Sequence, residues 1–422
     1  MQKRLTYQKL LSMNLYWFGL SFLWNTLHPI VLPALLLNYV PEIKKNTYLG
    51  LLTFVGLVLA MIVQPMAGSL SDHVHVQGGK RRPFILLGTI FDLVVLLLFI
   101  FVDTLTGIFL GYIALQISSN IAHGPMQALI PDLVPDDQKG SASGIKNLMD
   151  VLGLIIASLV AGRLITPGAS DHTPIFLVIM AVLLGSALIT ILTTKERGNG
   201  NRILVKENPT SFSIKEVLKI DLEKNNTFKN LIVTRFIFLL GVYGIQTFAQ
   251  YYIRDVLAVD NAIKATGDVM AAIAAALVVC VLVSGYLSDK LGPVKLINFG
   301  MLVTAIGGFS LIFVNDINTV TILAGIIGGG MGFFLTSNWT LAVKLAPEGQ
   351  AGKYLGLTNL ATAGAGAIGR LEGPLIDFAN GVYPEYFLGY KFMFLFCFLC
   401  SLLSCFIFNK IFKMQDAVQD TV

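Results

Sequence analysis

The sequence predicts an all-α polytopic membrane protein, with twelve transmembrane helices arranged as two six-helix pseudo-repeats. Three observations point there. The 422 residues are 55% hydrophobic and only 13% charged, with a mean hydropathy of +0.73, whereas a soluble domain carries about 25% charged residues. Apolar runs of about 20 residues, the length a helix needs to cross a bilayer, recur along the whole chain. Helices are the expected form because lipid offers no partner to a free backbone amide. Finally, two separate stretches of the first half return in the second half, in register.

The runs lie at approximately 8–39, 47–70, 83–103, 106–131, 140–165, 174–194, 229–256, 263–288, 294–315, 317–343, 352–377 and 386–412. The first follows only Met-Gln-Lys-Arg and is too long for a cleaved signal peptide, so it reads as a retained first helix. Lys3, Arg4, Lys9, the Lys80-Arg81-Arg82 triplet, Lys139, the 195–228 segment, Lys290, Lys295, Lys344, Lys353, Lys410 and Lys413 fall on one side of these runs. The opposite side has chiefly Lys44, Lys45, Arg163, Arg254 and Lys264. Basic residues mark the cytoplasmic side, so both termini are expected there. The net charge of +5 then belongs to topology and not to nucleic-acid binding. The longest linker separates an N-terminal bundle (1–194) from a C-terminal bundle (229–422); within it, "SIKEVLKIDLEK" reads as a short surface helix of a cytoplasmic 195–228 segment.

The repeat is visible at two places. "GSLSDHVHVQGGKRRP" after the second run returns as "GYLSDKLGP" after the eighth, pairing Gly68 with Gly285, Asp72 with Asp289 and Gly79 with Gly292. "PDDQKGSASGIKNL" (135–148) returns as "PEGQAGKYLGLTNL" (347–360), pairing Gly140 with Gly352, Gly144 with Gly356 and Asn147 with Asn359. Parallel six-helix repeats are a known carrier architecture. The Gly-x-x-x-Asp pattern followed by a glycine and basic residues resembles the signature loop of the major facilitator superfamily. That resemblance implies alternating access with these charges as gates. Asp72 would latch onto the start of the eleventh helix and Asp289 onto the start of the fifth, each at a positive helix N-terminus. The glycine-spaced helix starts, Gly140/Gly144 and Gly352/Gly356, would let backbones approach closely, and Gly68, Gly285, Arg81 and Arg82 complete the gating set.

"GKRRPFILLG" (79–88), "SNIAHGPMQALIPDL" (119–133) and "GPLIDFANG" (373–381) are similar to the glycoside–pentoside–hexuronide symporters and the related sucrose carriers. The chain departs from plant sucrose carriers where they place an acid in helix 4 and an Arg after the Gly-Pro; Gln116 and Gln127 stand there instead. The superfamily resemblance implies that helices 1, 4, 7 and 10 line a central cavity. Their polar and aromatic residues are the expected substrate set: Trp24, Asn25 and His28; Gln116, Asn120, His123 and Gln127; Arg235, Tyr243, Gln246 and Gln250; Ser337, Asn338 and Trp339. Amides grip hydroxyls through paired hydrogen bonds, and indole or phenol faces suit the apolar side of a sugar ring.

The coupling proton is expected on Asp150 or His123, with Asp92 third. Asp150 lies ten residues beyond Gly140, about 15 Å into its helix at 1.5 Å per residue, although an ion pair with Lys146 one turn away is its competing role. His123 has the ordinary pKa of about 6.5 that suits a switch near neutral pH. No cofactor, metal or enzymatic constellation is expected. Cys397 and Cys400 sit among Phe and Leu as inert thiols, His73-Val-His75 lacks further spaced ligands, and no phosphate-binding Gly-Lys-Ser/Thr loop is present. The resemblance therefore implies a monomeric cell-membrane carrier for a small polar solute, a sugar or glycoside, in symport with a cation, most simply a proton. Export of amphiphiles is the alternative, opposed by the missing Gly-Pro in "SGIKNLMDVLGLIIASLVAG". A non-transporting sensor or scaffold would not need the doubled gate motif.

Overall fold

The computed structural model describes residues 4–73, 79–166, 168, 172–194, 196, 225–346 and 351–419. Regular structure in them is helical: α1 Tyr7–Leu36, α2 Lys45–His73, α3 Arg82–Phe99, α4 Leu105–Leu133, α5 Lys139–Leu164, α6 Thr173–Thr193, α7 Asn226–Asp255, α8 Ala262–Leu291, α9 Pro293–Leu311, α10 Ile317–Leu345, α11 Ala351–Gly369, α12 Glu372–Val382 and α13 Leu388–Gln419. Among the described residues, eleven helices are long and apolar enough to cross a membrane. The eleventh apolar run is divided between α11 and α12 by a turn at Arg370 and Leu371. "SIKEVLKIDLEK" and His75 lie outside the described residues, as does the side chain of His73.

Local chemistry sets the helix starts. The side chains of Thr6, Thr104, Asn225, Asn261 and Asp316 each accept a backbone N–H from the first turn that follows, satisfying one of the orphan donors every helix start leaves. Proline stands at the opening of α3, α6 and α9, where its missing N–H does no harm. Prolines deeper inside leave marks. Pro29 lies within a π-turn at Leu27–Val31 in α1, and the α4 ladder slackens at Ala128, three residues after Pro125.

The chain forms two compact units, Met1–Val31 with Val55–Ser213, and Leu32–Phe54 with Ile214–Val422. Within the first, α1 packs on α5 and α6, and α3 on α4 and α6; within the second, α7 packs on α11 and α13, and α9 on α10 and α13. The pattern is the same with the helices renumbered, and it reaches single contacts. A Cβ on Gly88 of α3 would press on Ser118 and Ala122 of α4, and one on Gly300 of α9 on Gly330 and Phe334 of α10. All three pairs are related by the offset of 212 found in the sequence. Small residues let helix backbones approach where apolar burial supplies no drive in lipid.

The repeated loop glycines also share a conformation. Gly79 has φ +119° and Gly292 φ +80°, values that favour glycine. Gly68 lies against the Gly124 carbonyl of α4, whereas Gly140, Gly144 and Gly356 depart from the expectation of close backbone approach. A Cβ at Gly140, Gly144, Gly285 or Gly356 would meet nothing within 4 Å, because these glycines face open space in this structure. The surroundings of Asp289 and Gly352 lie outside the described residues.

Candidate functional site

In the first unit, α1 and α4 are joined by a ladder of rings and amides. The Trp24 indole stacks on His28 with centroids 5.0 Å apart, and meets Tyr112 edge-on at 6.3 Å. His28 Nε2 and the Tyr112 hydroxyl are 2.8 Å apart, and Gln116 Nε2 donates to the same hydroxyl at 2.7 Å. One turn further, Asn120 Nδ2 donates to the Gln116 carbonyl at 2.7 Å and to its side-chain oxygen at 3.3 Å. The spacing 112, 116, 120 is one helical face, which is why a single stripe of α4 carries every rung.

A second cluster lies one turn beyond, around Trp17. His123 meets its ring edge-on at 5.0 Å, Lys146 of α5 sits 4.1 Å above it, and Lys146 Nζ pairs with Asp150 at 2.6 Å. Gln127 Nε2 is 3.5 Å from His123 Nε2 and is exposed. Asn25 is turned along its own helix, donating to the Ser21 carbonyl at 2.8 Å, while the Ser21 hydroxyl donates to the Asp150 carbonyl at 2.5 Å. Asp92 is fully buried on α3. It accepts the Ser118 hydroxyl on Oδ1, while Oδ2 has no hydrogen-bond partner among the described residues.

In the second unit, Arg235 of α7 is held from two sides. Its Nε donates to Thr362 Oγ1 and one terminal nitrogen to Asn338 Oδ1, both at 2.8 Å. Asn338 is fully buried, and among the described residues its Nδ2 has no partner, leaving one amide donor unclaimed beside a buried guanidinium. Ser337 pairs with Ser284 at 3.0 Å. The Tyr243 ring lies against Gly366 and Gly369 of α11. Gln246 lines an apolar cleft with Val242, Met270, Met331, Met393 and Phe394. Gln250 is buried, whereas Trp339, about 100° around the helix from Asn338, is 39% exposed.

The two ends of α2 carry the strongest electrostatics. Arg81, just past one end, is almost fully buried; it pairs with Asp72 and with Asp132 of α4, the latter at 2.9 Å, and donates to Ser71 Oγ and the Gly68 carbonyl. Asp72 thus has its partner inside its own repeat in this structure. The Glu196 carboxylate accepts from the backbone N–H groups of Lys80, Arg81 and Arg82, an anion at the start of α3. At the other end, Lys45 pairs with Glu42 and, at 2.6 Å, with Asp255 of α7.

Sequence reasoning missed Tyr112, Trp17, Thr362, Glu196, Lys45, Asp255 and Glu372. Only the last carried a clear signal, an ionisable residue inside an apolar run. Tyr112 sits four residues before Gln116 and is recognisable only once the ladder is built.

The comparisons with known proteins agree with this architecture. A sequence model of the Major Facilitator Superfamily matches residues 10–369. The chain is 23% identical over 424 residues to the multidrug resistance protein MdtG of Citrobacter koseri, covering 96% of this chain and 94% of that one. It is 25% identical over 271 residues to a homologue of the multi-drug resistance efflux pump PmrA from Lactococcus lactis subsp. lactis (strain IL1403), where it spans 61% of each chain. Among solved structures, a bacterial homologue of the human lysosomal transporter Spinster superposes with a TM-score of 0.74 at 17% identity, covering 95% of both chains. The nucleoside transporter NupG superposes with a TM-score of 0.72 at 13% identity, covering 96% of this chain and 99% of the other.

Proposed function

The chain belongs to the major facilitator superfamily, a membrane-transporter family, and on that footing we propose that it carries a small solute with one apolar face and several hydrogen-bonding groups, coupled to a proton. The ladder Trp24–His28–Tyr112–Gln116–Asn120 carries this reading, since it sets ring faces beside amides in one stripe. Concave sites with a few convergent polar groups among apolar walls are the usual place for such ligands. Arg235 and the unclaimed Asn338 amide offer the second unit's contribution. A sugar or glycoside taken up in symport fits this chemistry and the sucrose-carrier resemblance.

Export of amphiphilic compounds in exchange for protons is an equal reading, and a specific finding favours it. The relatives matched along 96% of this chain are named multidrug resistance proteins. In either direction the Lys146–Asp150 pair and His123, grouped around Trp17, are the proposed proton carriers of the first unit, with Asp92 behind them. We place the protein as a monomer in the cell membrane with both termini cytoplasmic.

Proteoliposomes decide between the directions. Under an imposed pH gradient, a panel of labelled glycosides and a panel of amphiphilic dyes are followed in parallel. Glycoside accumulation alongside protons supports uptake; dye movement against the proton flux supports export. The absence of any gradient-driven flux in both panels would leave a facilitator and overturn the proton-coupled reading.

A further inference from the structure

Glu372 opens α12, just past the turn that divides the eleventh apolar run. It is 8% exposed, and among the described residues neither carboxylate oxygen has a hydrogen-bond partner. The pocket is built around it. Gly244 of α7 faces the carboxylate so closely that a Cβ there would collide with both oxygens. Cys397 and Cys400 of α13 face Gly241, one turn away on the same stripe of α7. Among the described residues, these two thiols are the titratable groups of the neighbouring helices that interact electrostatically with Glu372. Arg370, two residues earlier, directs one terminal nitrogen to the Gly366 carbonyl at 2.6 Å, beside the Tyr243 ring. No cation pairs with Glu372 among the described residues.

An ionised carboxylate without cation or donor is strongly disfavoured away from water. The pocket as it stands accommodates the neutral acid. The segment carrying it is also clamped. Asp377, just over one turn along α12, accepts the Asn46 and Thr47 backbone N–H groups at 3.3 and 2.6 Å and Asn46 Nδ2 at 2.8 Å. Gly373 and the Arg370 carbonyl lie against Asn46 and Gly50 of α2. The first turn of α2 therefore covers the same elbow that buries Glu372.

We propose that Glu372 is a proton-binding site coupled to this clamp: it holds a proton on one carboxylate oxygen while α2 sits on α12, and releases it to water when the two part. The proton comes from and returns to the solvent on that face, and no other group changes. Low pH on that side then favours the clamped arrangement. This inference rests on the proton-coupled reading only for its transport consequence; proton binding itself is tested separately.

Dicyclohexylcarbodiimide, which attacks protonated carboxyl groups in apolar surroundings, is the probe. The wild-type protein in nanodiscs is treated between pH 5 and 9, and the adduct on the Glu372 peptide is measured by mass spectrometry. The expected result is a strong adduct at low pH, falling at least tenfold as pH rises, with Asp377→Asn moving the midpoint to lower pH because it loosens the clamp. No adduct at any pH, or a midpoint indifferent to Asp377→Asn, would overturn the proposal. In proteoliposomes, Glu372→Gln is expected to lose gradient-driven flux while retaining substrate exchange. If wild type is gradient-driven and Glu372→Gln equally so, Glu372 is not the coupling site and the proton-coupled reading stands. If wild type is not gradient-driven yet the adduct titrates as stated, that reading fails and the proton site stands.

Discussion

The two ends of α2 meet the same physical problem with opposite connectivity. At one, Arg81 has a side chain 5% exposed between Asp72 and Asp132; at the other, Lys45 is 6% exposed between Glu42 and Asp255. Each is a nearly buried cation with two carboxylates, the arrangement that makes burial of charge tolerable. The partners of the Arg81 guanidinium come from α2 and α4 of the first repeat. Lys45 reaches Asp255 at the end of α7, which also accepts the Tyr390 hydroxyl of α13 at 2.6 Å. Arg254 adds a contact to Glu42 at 2.9 Å, and the Tyr251 hydroxyl donates to the Pro33 carbonyl at 3.0 Å. A cation held by its own repeat is a brace, present in any state in which that repeat is folded. One held by residues from the other sequence repeat is a clasp, joining the start of α2 to α7 inside one compact unit. Amides and rings occupy the stretch between the two ends, and charges are fewer there.

The largest expected effect comes from breaking the brace. Arg81→Ala removes the shared partner of Asp72 and Asp132 and the donor to Ser71 and Gly68. Those carboxylates are 54% and 40% exposed and water screens them, so the expected loss of stability is about 2–3 kcal/mol. Thermal unfolding in detergent measures it. Arg81→Lys should recover only part, since one ammonium cannot serve Asp72, Asp132 and Ser71 in the guanidinium's fixed fork.

Asp255→Asn comes next, with an expected loss of about 1–3 kcal/mol, because Lys45 keeps Glu42 but loses its buried partner. Its distinguishing sign is kinetic, a higher exposure of the α2 start to a water-soluble thiol reagent at an engineered Asn46→Cys. A stability loss as large as that of Arg81→Ala, with unchanged thiol exposure, would erase the difference between brace and clasp.

Substitutions among the amides should strike affinity, and Asn338→Ala should cost stability as well, because it leaves a buried Arg235 donor without its acceptor. Asn120→Ala and Asn338→Ala are expected to weaken apparent substrate affinity by about 1–3 kcal/mol, as a polar group of the ligand loses its partner, read from concentration-dependent uptake or export. Unchanged affinity in both would move the search to other helices.

The smallest effect belongs to Glu42→Gln. Glu42 is 57% exposed, and pairs in contact with water contribute about 0–1 kcal/mol. A melting temperature within experimental error of wild type, beside a clear shift for Asp255→Asn, would assign the clasp to the buried carboxylate.

Much of the fold was legible because it follows from local composition. Apolar runs predicted the positions of α1 to α10 and α13 to within a few residues, and the loop Gly79/Gly292 echo returned as shared positive φ. The division of the eleventh run was not legible. Its hydropathy is continuous through Gly369, and only the turn at Arg370 and Leu371 separates α11 from α12. The candidate site was half visible: Gln116, Asn120 and His28 were named from helix faces, but Tyr112, the phenol two of them share, was not. A phenol inside an apolar helix reads as core until its neighbours are known.

By itself the sequence determined that this chain lives in lipid, where its apolar spans fall, that it is a duplicated carrier, and where the paired acid–base loops stand. These depend on composition and period, which act within a few residues. Tertiary structure alone decided which charges are partnered. Lys45 finds Asp255 only because α2 starts where α7 ends, and Glu372 is left without a partner among the described residues because Gly244 and Asn46 close around its helix turn. Desolvation is set by every helix that converges on a group, and no stretch of sequence records which ones do.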